Sequence, residues 1–224
     1  MPGYIMHLCE AAYILDKIKI KNRDEFILGC VLPDAVASKD LTHFRPRYQD
    51  TRITKYPDME YVMKKYNINT LTPADLGVIS HLQMDALYVS TFWPKFFTFE
   101  DNQNQPTEIH DNITHVRMKD GGIQKEGTCI PLSSFFSQEY FYGDYNATNS
   151  LFIKDFNPRL PAYYSADLTI TECLSYSEKK LEEDLAVFTA GDNMPAAPTK
   201  VFHYSDLKDF IISCGEAFIN LLQV

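Results

Sequence analysis

Apolar residues recur at three- and four-residue spacing along much of the chain, and the predicted elements follow from that spacing. Ile5, Leu8, Cys9, Ala12, Leu15 and Ile18 form one stripe and predict a helix over residues 3–20. The basic residues Lys21 and Arg23 close it. Asp24 can cap a short second helix, EFILGCVL, which ends before Pro33. Residues 57–66, PDMEYVMKKY, start on proline, carry acid in the first turn and end in lysines, as a short helix does. The most informative segment runs from Thr72 to Phe97. Thr72 can cap it, Pro73 suits its first position, and Leu76, Ile79, Leu82, Leu87 and Val89 make its interior apolar. Residues 133–156 resume the helical pattern, with a break near Gly143 and a new start around Asp144 or Asn146. Residues 165–189 predict a long amphipathic helix with Leu168, Ile170, Cys173, Leu174, Leu181, Leu185 and Phe188 inward. After a linker over 191–200, a last helix spans 205–222, capped by Ser205 and striped by Leu207, Phe210, Ile211, Cys214, Phe218 and Leu221.

One stretch breaks the pattern. Residues 98–132 combine a polar, breaker-rich loop with β-branched residues and a Lys119-Asp120-Gly121-Gly122 turn, which reads as an irregular or hairpin excursion. The expected fold is therefore all-α: a multi-helix bundle in one domain over 1–224, with an inserted loop or hairpin at 98–132.

Composition narrows the function classes. A chain of 224 residues with 45% hydrophobic content can bury a full core, and most of its aromatic rings are expected there. A formal charge of −9 argues against an extended nucleic-acid surface. A small anionic substrate stays possible where a divalent cation dominates the local field. The N-terminal segment lacks a basic leader before an apolar run, and no stretch is apolar enough to predict a membrane span. Five scattered cysteines without a C-x-x-C pair suit a reducing cytoplasm.

The candidate chemistry starts with His81 and Asp85. Four residues apart, they share one face of an otherwise apolar helix. Such groups need a partner, either a hydrogen bond that ties two helices together or a metal. Upstream lie His7 in the first helix, Asp34 after Leu32-Pro33, and His43 in Thr42-His43-Phe44. Singly, these read as a packed histidine, a turn aspartate and an exposed loop histidine. Together, three imidazoles and two carboxylates on rigid elements suit zinc or a similar divalent ion.

These segments resemble the zinc-dependent phospholipase C family and its single-strand nuclease relatives. The likeness rests on MPGYIMHLCEAAYIL, on FILGCVLPDAV followed by THF, and on DLGVISHLQMD, in roughly the first 95 residues. It implies an all-helical protein, similar to short intracellular members of that group. It implies that Asp34, His43, His81 and Asp85 hold one zinc, and that His7 contributes to a second ion bridged by Asp85. In secreted members a free amino terminus completes that second ion; here the Pro2 amine, after loss of Met1, is the candidate. A third ion in the family uses a histidine six residues past the helical aspartate and a later H-x3-E pair. Position 91 is Thr91 and no such pair follows, so one or two ions are expected. His110 and His115 lie downstream at a different spacing. The resemblance implies a metal-activated water that attacks a phosphoester, with Asp34 as general base and a phospholipid head group or a nucleotide as substrate. Two readings compete. One is an HD-type phosphohydrolase built on His110-Asp111. The other is a non-catalytic binding protein that keeps a structural metal.

Overall fold

The computed structural model describes residues 2–36, 39–193 and 195–223. Helix α1 spans Tyr4–Lys17 and α2 spans Arg23–Gly29. Asn22, not Asp24, caps α2, its side chain accepting from the Glu25 amide. A 3-10 turn over Leu32–Asp34 follows, then the short α3, Lys39–Thr42, and α4, Met59–Lys65. Helix α5, Pro73–Leu87, opens with a reciprocal cap: Thr72 accepts from the Asp75 amide while the Asp75 carboxylate accepts from the Thr72 amide.

Helices α2 and α5 cross where two glycines meet. A Cβ on Gly77 would fall inside contact distance of the Phe26 carbonyl oxygen, and one on Gly29 would strike the Ala74 carbonyl. Backbone therefore packs on backbone, and the Cys30 carbonyl comes within 2.8 Å of His81 Nδ1.

After Leu87 the helix widens into a π turn over Tyr88–Phe92. The hydroxyls of Ser90 and Thr91 each donate at 2.6 Å to the carbonyls of Ala86 and Leu87. They compete with the backbone amides for those oxygens and loosen the turn. Helix α6, Trp93–Phe96, is brief, and at Phe97 the chain becomes strand.

The all-α expectation is corrected here. Strands β1 (Phe97–Glu100), β2 (His115–Met118) and β3 (Cys129–Pro131) form an antiparallel sheet in the order β1-β2-β3. Phe97 pairs with Met118, Glu100 with His115, and Val116 with Ile130. The fold is mostly helical with one small sheet. Phe97, Phe99, Val116, Met118 and Ile130 alternate inward and cover a helical core that a pure bundle would leave open.

Helices α7 (Leu132–Phe135), α8 (Phe141–Phe156), α9 (Glu178–Asn193) and α10 (Tyr204–Leu221) complete the chain. Gly143 does not break α8. Asp144 lies inside it, and its carboxylate accepts from the amides of Lys200, Val201 and Phe202. The helix expected over 165–189 begins only at Glu178, because Asp75 draws the amides of Thr169 and Ile170 into its own carboxylate. Helix α10 starts at Tyr204, so Ser205 is not its cap. Among the described residues no helix is long and apolar enough to cross a membrane.

Two apolar clusters fill the interior. An aromatic one gathers Tyr88, Phe92, Trp93, Phe141 and Phe202; an aliphatic one gathers Leu8, Leu28, Val78 and Leu82. His7 and Asp85 sit on the seam, since Met6 and Met84 pack into the first cluster and Leu8 and Leu82 into the second.

The glycine crossing generates a prediction. Gly77→Ala should cost about 1–3 kcal/mol through overpacking, read as a lower urea midpoint at unchanged slope. A midpoint equal to the parent's would show that the helices have room to spare.

Candidate metal centre

Helix α1 supplies His7, the 3-10 turn after α2 supplies Asp34, the end of α3 supplies His43, and α5 supplies His81 and Asp85. All five are buried. The exposed-loop reading of His43 is thus replaced by a position at the base of a tight turn. Phe44, next in sequence, adopts φ 48, a left-handed conformation that costs a bulky residue about 1–2 kcal/mol. Its ring, packed near Tyr61 and Tyr66, anchors that turn.

Ring orientation is set from behind. His81 Nδ1 donates to the Cys30 carbonyl at 2.8 Å, and His43 Nδ1 donates to the Lys39 carbonyl at 2.9 Å. A carbonyl can only accept, so Nδ1 carries the proton and each Nε2 presents a lone pair. The two Nε2 atoms face each other at 3.2 Å. Two lone pairs at that distance repel unless a cation or a proton lies between them.

The carboxylates close the figure. Asp85 Oδ2 is 3.2 Å from His43 Nε2 and 3.7 Å from His81 Nε2, and Asp34 Oδ1 is 3.4 Å from His43 Nε2. Zinc bound tetrahedrally by nitrogen and oxygen at about 2.0 Å has donor–donor edges of about 3.3 Å. The measured edges bracket that length. On the far side of Asp85, Oδ1 lies 3.5 Å from His7 Nε2, and the His7 ring stacks on His81 with centroids 3.8 Å apart. Both His7 nitrogens and both Asp85 oxygens are buried without a hydrogen bond of good geometry, and Asp34 Oδ1 meets the Lys39 ammonium. The residues therefore fit a divalent ion: Asp34, His43 and His81 converge as one donor group, and His7, His81 and Asp85 as another.

Electrostatics agree. Burial pushes the Asp34 carboxyl up, but the close approach of His43 and the neighbouring His81 outweigh it and hold the group below the carboxylate range. Asp85 is likewise held well below its ordinary value, burial being overcome by His81 and by the close approach of the His43 and His7 rings. Burial and the neighbouring His7 push His81 down to about 3, so it stays neutral. Burial also disfavours charge on His43, yet contacts to Asp34 and Asp85 leave its value raised. Two buried carboxylates thus face one imidazole that readily protonates, a negative balance that suits a cation.

Comparison with family models, with characterised proteins and with solved structures gives no match. The reading of the centre rests on its own donors.

Other expectations land elsewhere. His110 and Asp111 lie on a solvent-exposed 3-10 turn, at 63% and 95% side-chain exposure, away from both donor groups. His115 pairs with Glu100 at 3.1 Å in the sheet. Thr91 is exposed on the π turn. Pro2 is buried ahead of α1, while Met1 lies outside the described residues. Sequence reasoning missed Lys39, whose Nζ sits 2.6 Å from Asp34 Oδ1. It also gave no role to Glu10, three residues beyond His7 on α1 and wholly buried near Ser80. Burial raises that carboxyl well above its ordinary value, so it adds no charge. The His7-x-x-Glu10 spacing was the available signal, because it puts both residues on one helical face.

The raised His43 value has a direction in pH. In chelator-treated protein, the stability that His43 protonation contributes is complete below the ordinary imidazole value and is lost as pH rises through the raised one. Metal and proton compete for the same Nε2. Zinc affinity, measured against a chromophoric chelator, should fall by about tenfold per pH unit on the acid side of that value. An affinity flat between about pH 6 and 8 would remove His43 from the donor set.

Proposed function

We propose that this protein is a metal-dependent hydrolase of small phosphoesters. In this reading Asp34, His43, His81 and Asp85 hold one divalent ion, zinc by donor type, and His7 with the second oxygen of Asp85 holds another. The observation that carries the reading is the fifth donor. A closed structural site needs four protein ligands. His7 is surplus to that number, buried, and free of hydrogen bonds at both ring nitrogens. A second position with so few protein donors leaves coordination open for water and a phosphoryl oxygen.

Bound divalent ions supply an activated water and compensation for charge on the phosphoryl oxygens. The chain supplies the rest. Cys30 and Lys39 carbonyls hold two imidazoles in the tautomer that donates a lone pair. Asp85 spreads its two oxygens between the two groups of donors. Asp34, the carboxylate at the solvent edge, is the candidate to accept a proton from the attacking water. The resemblance to zinc-dependent phospholipases C supports the reaction class and points to a phospholipid head group or a nucleotide as substrate. Five unpaired cysteines accord with work in a reducing cytoplasm.

A second reading has its own support. None of the five residues is more than 5% exposed, and two surface cavities of about 600 Å³ are lined by other residues. Such enclosure favours a structural ion in a binding protein.

Elemental analysis and a chromogenic phosphodiester separate the two. The hydrolase should carry two zinc ions and turn substrate over. Asp85→Asn should lose both properties, and His7→Ala should keep one ion while turnover falls about 100-fold or more. One ion without turnover in the parent protein would favour the structural role, and protein without metal would sink both.

A further inference from the structure

The centre has one side nearer to solvent. His7, His43, His81 and Asp85 are fully enclosed, whereas Asp34 keeps 5% of its surface exposed. Lys39 lies over that edge. Its ammonium is 2.6 Å from Asp34 Oδ1, and its side chain is 44% exposed. Its own carbonyl accepts the His43 Nδ1 hydrogen bond. One residue thus orients a ligand imidazole through its backbone and covers a ligand carboxylate through its side chain. The neighbouring Arg45 pairs with Asp40 at 2.9 Å, whereas the Lys39 ammonium contacts a donor carboxylate of the centre.

We propose that Lys39 is the anion-recognising residue of this site, the ammonium that meets a phosphoryl oxygen as substrate arrives over Asp34. The proposal rests on the phosphoester reading above. An ammonium has three N–H donors, and a single carboxylate oxygen engages one of them. The rest can serve an incoming phosphate. Once Asp34 shares its charge with a bound divalent ion, its hold on the ammonium weakens and the cation becomes available to an anion. The chain as a whole, at −9, repels such a substrate, and a cation at the rim offsets that field where it matters. The plain alternative is a half-exposed ion pair, whose removal changes little.

The test compares zinc-loaded parent protein with Lys39→Met and Lys39→Arg. Both variants keep the backbone carbonyl that orients His43. Zinc content is measured by elemental analysis, inorganic phosphate binding by calorimetry, and phosphodiester hydrolysis by steady-state kinetics. Zinc content should be equal in all three. In Lys39→Met, phosphate affinity should fall and KM should rise by about tenfold, with kcat much less affected, and Lys39→Arg should recover most of the loss. Unchanged phosphate affinity and KM in Lys39→Met would overturn the proposal and leave the hydrolase reading intact. Loss of zinc from Lys39→Met would overturn it as well, making Lys39 a brace for Asp34. A zinc-loaded parent that neither binds phosphate nor hydrolyses the ester would bring down the phosphoester reading and Lys39's role together.

Discussion

The close approach of α2 and α5 is the constraint on which the rest depends. Two helices whose side chains interdigitate run about 8–10 Å apart. Gly29 and Gly77 remove the side chains at the crossing, so the carbonyls of Phe26 and Ala74 come against the opposing backbone. That proximity has chemical consequences. It brings the Cys30 carbonyl to His81 Nδ1, which fixes the tautomer and aims Nε2 inward. It also sets where the chain leaves α2, and therefore where Asp34 enters the centre one short turn later.

Four buried aspartates show how environment divides one residue type into two roles. Asp75 and Asp144 are satisfied by backbone amides: Asp75 by Thr72, Thr169 and Ile170, Asp144 by Lys200, Val201 and Phe202. Each staples a distant loop to a helix, and its charge is spread over amide dipoles. Among the described residues, no backbone amide donates to Asp34 or Asp85. Their polar surroundings are imidazoles and, for Asp34, a lysine ammonium. The first pair needs nothing beyond the chain, while in the second pair Asp85 keeps both oxygens in the interior without a hydrogen bond of good geometry. Burial alone would not separate the pairs; the identity of the donors does.

Much of the helical frame was legible in the residue pattern because stripes and caps are local. Thr72-Pro73-x-Asp75 marks the start of α5 without reference to the rest of the chain. The sheet was less legible. Phe97-Thr98-Phe99 follows directly on helix, and its alternation matters only because Val116 and Ile130 complete the face from far along the chain. Residues 165–177 carry a helical stripe, yet Asp75, some ninety positions earlier, captures two of their amides. The centre was visible as residue types and order, since His81 and Asp85 are unusual inside an apolar helix. The left-handed turn at Phe44 was not, because a bulky residue there gives no local hint and is held by packing with Tyr61 and Tyr66. Lys39 was hidden for a similar reason: its partner is defined by the turn, not by spacing.

The enclosure of the five donors bears on timing. His7, His43, His81 and Asp85, sealed between two apolar clusters, meet solution only when the fold opens, while Asp34 alone reaches the edge. Whatever ion is present as α1 docks beside α5 would become locked in, and later exchange would run at the pace of those rare openings. Donor chemistry of this kind ranks the first-row metals in a shared order and discriminates weakly between neighbours. On the metal-bound reading proposed above, cellular supply at the moment of maturation, more than equilibrium preference, would then decide which element is taken up.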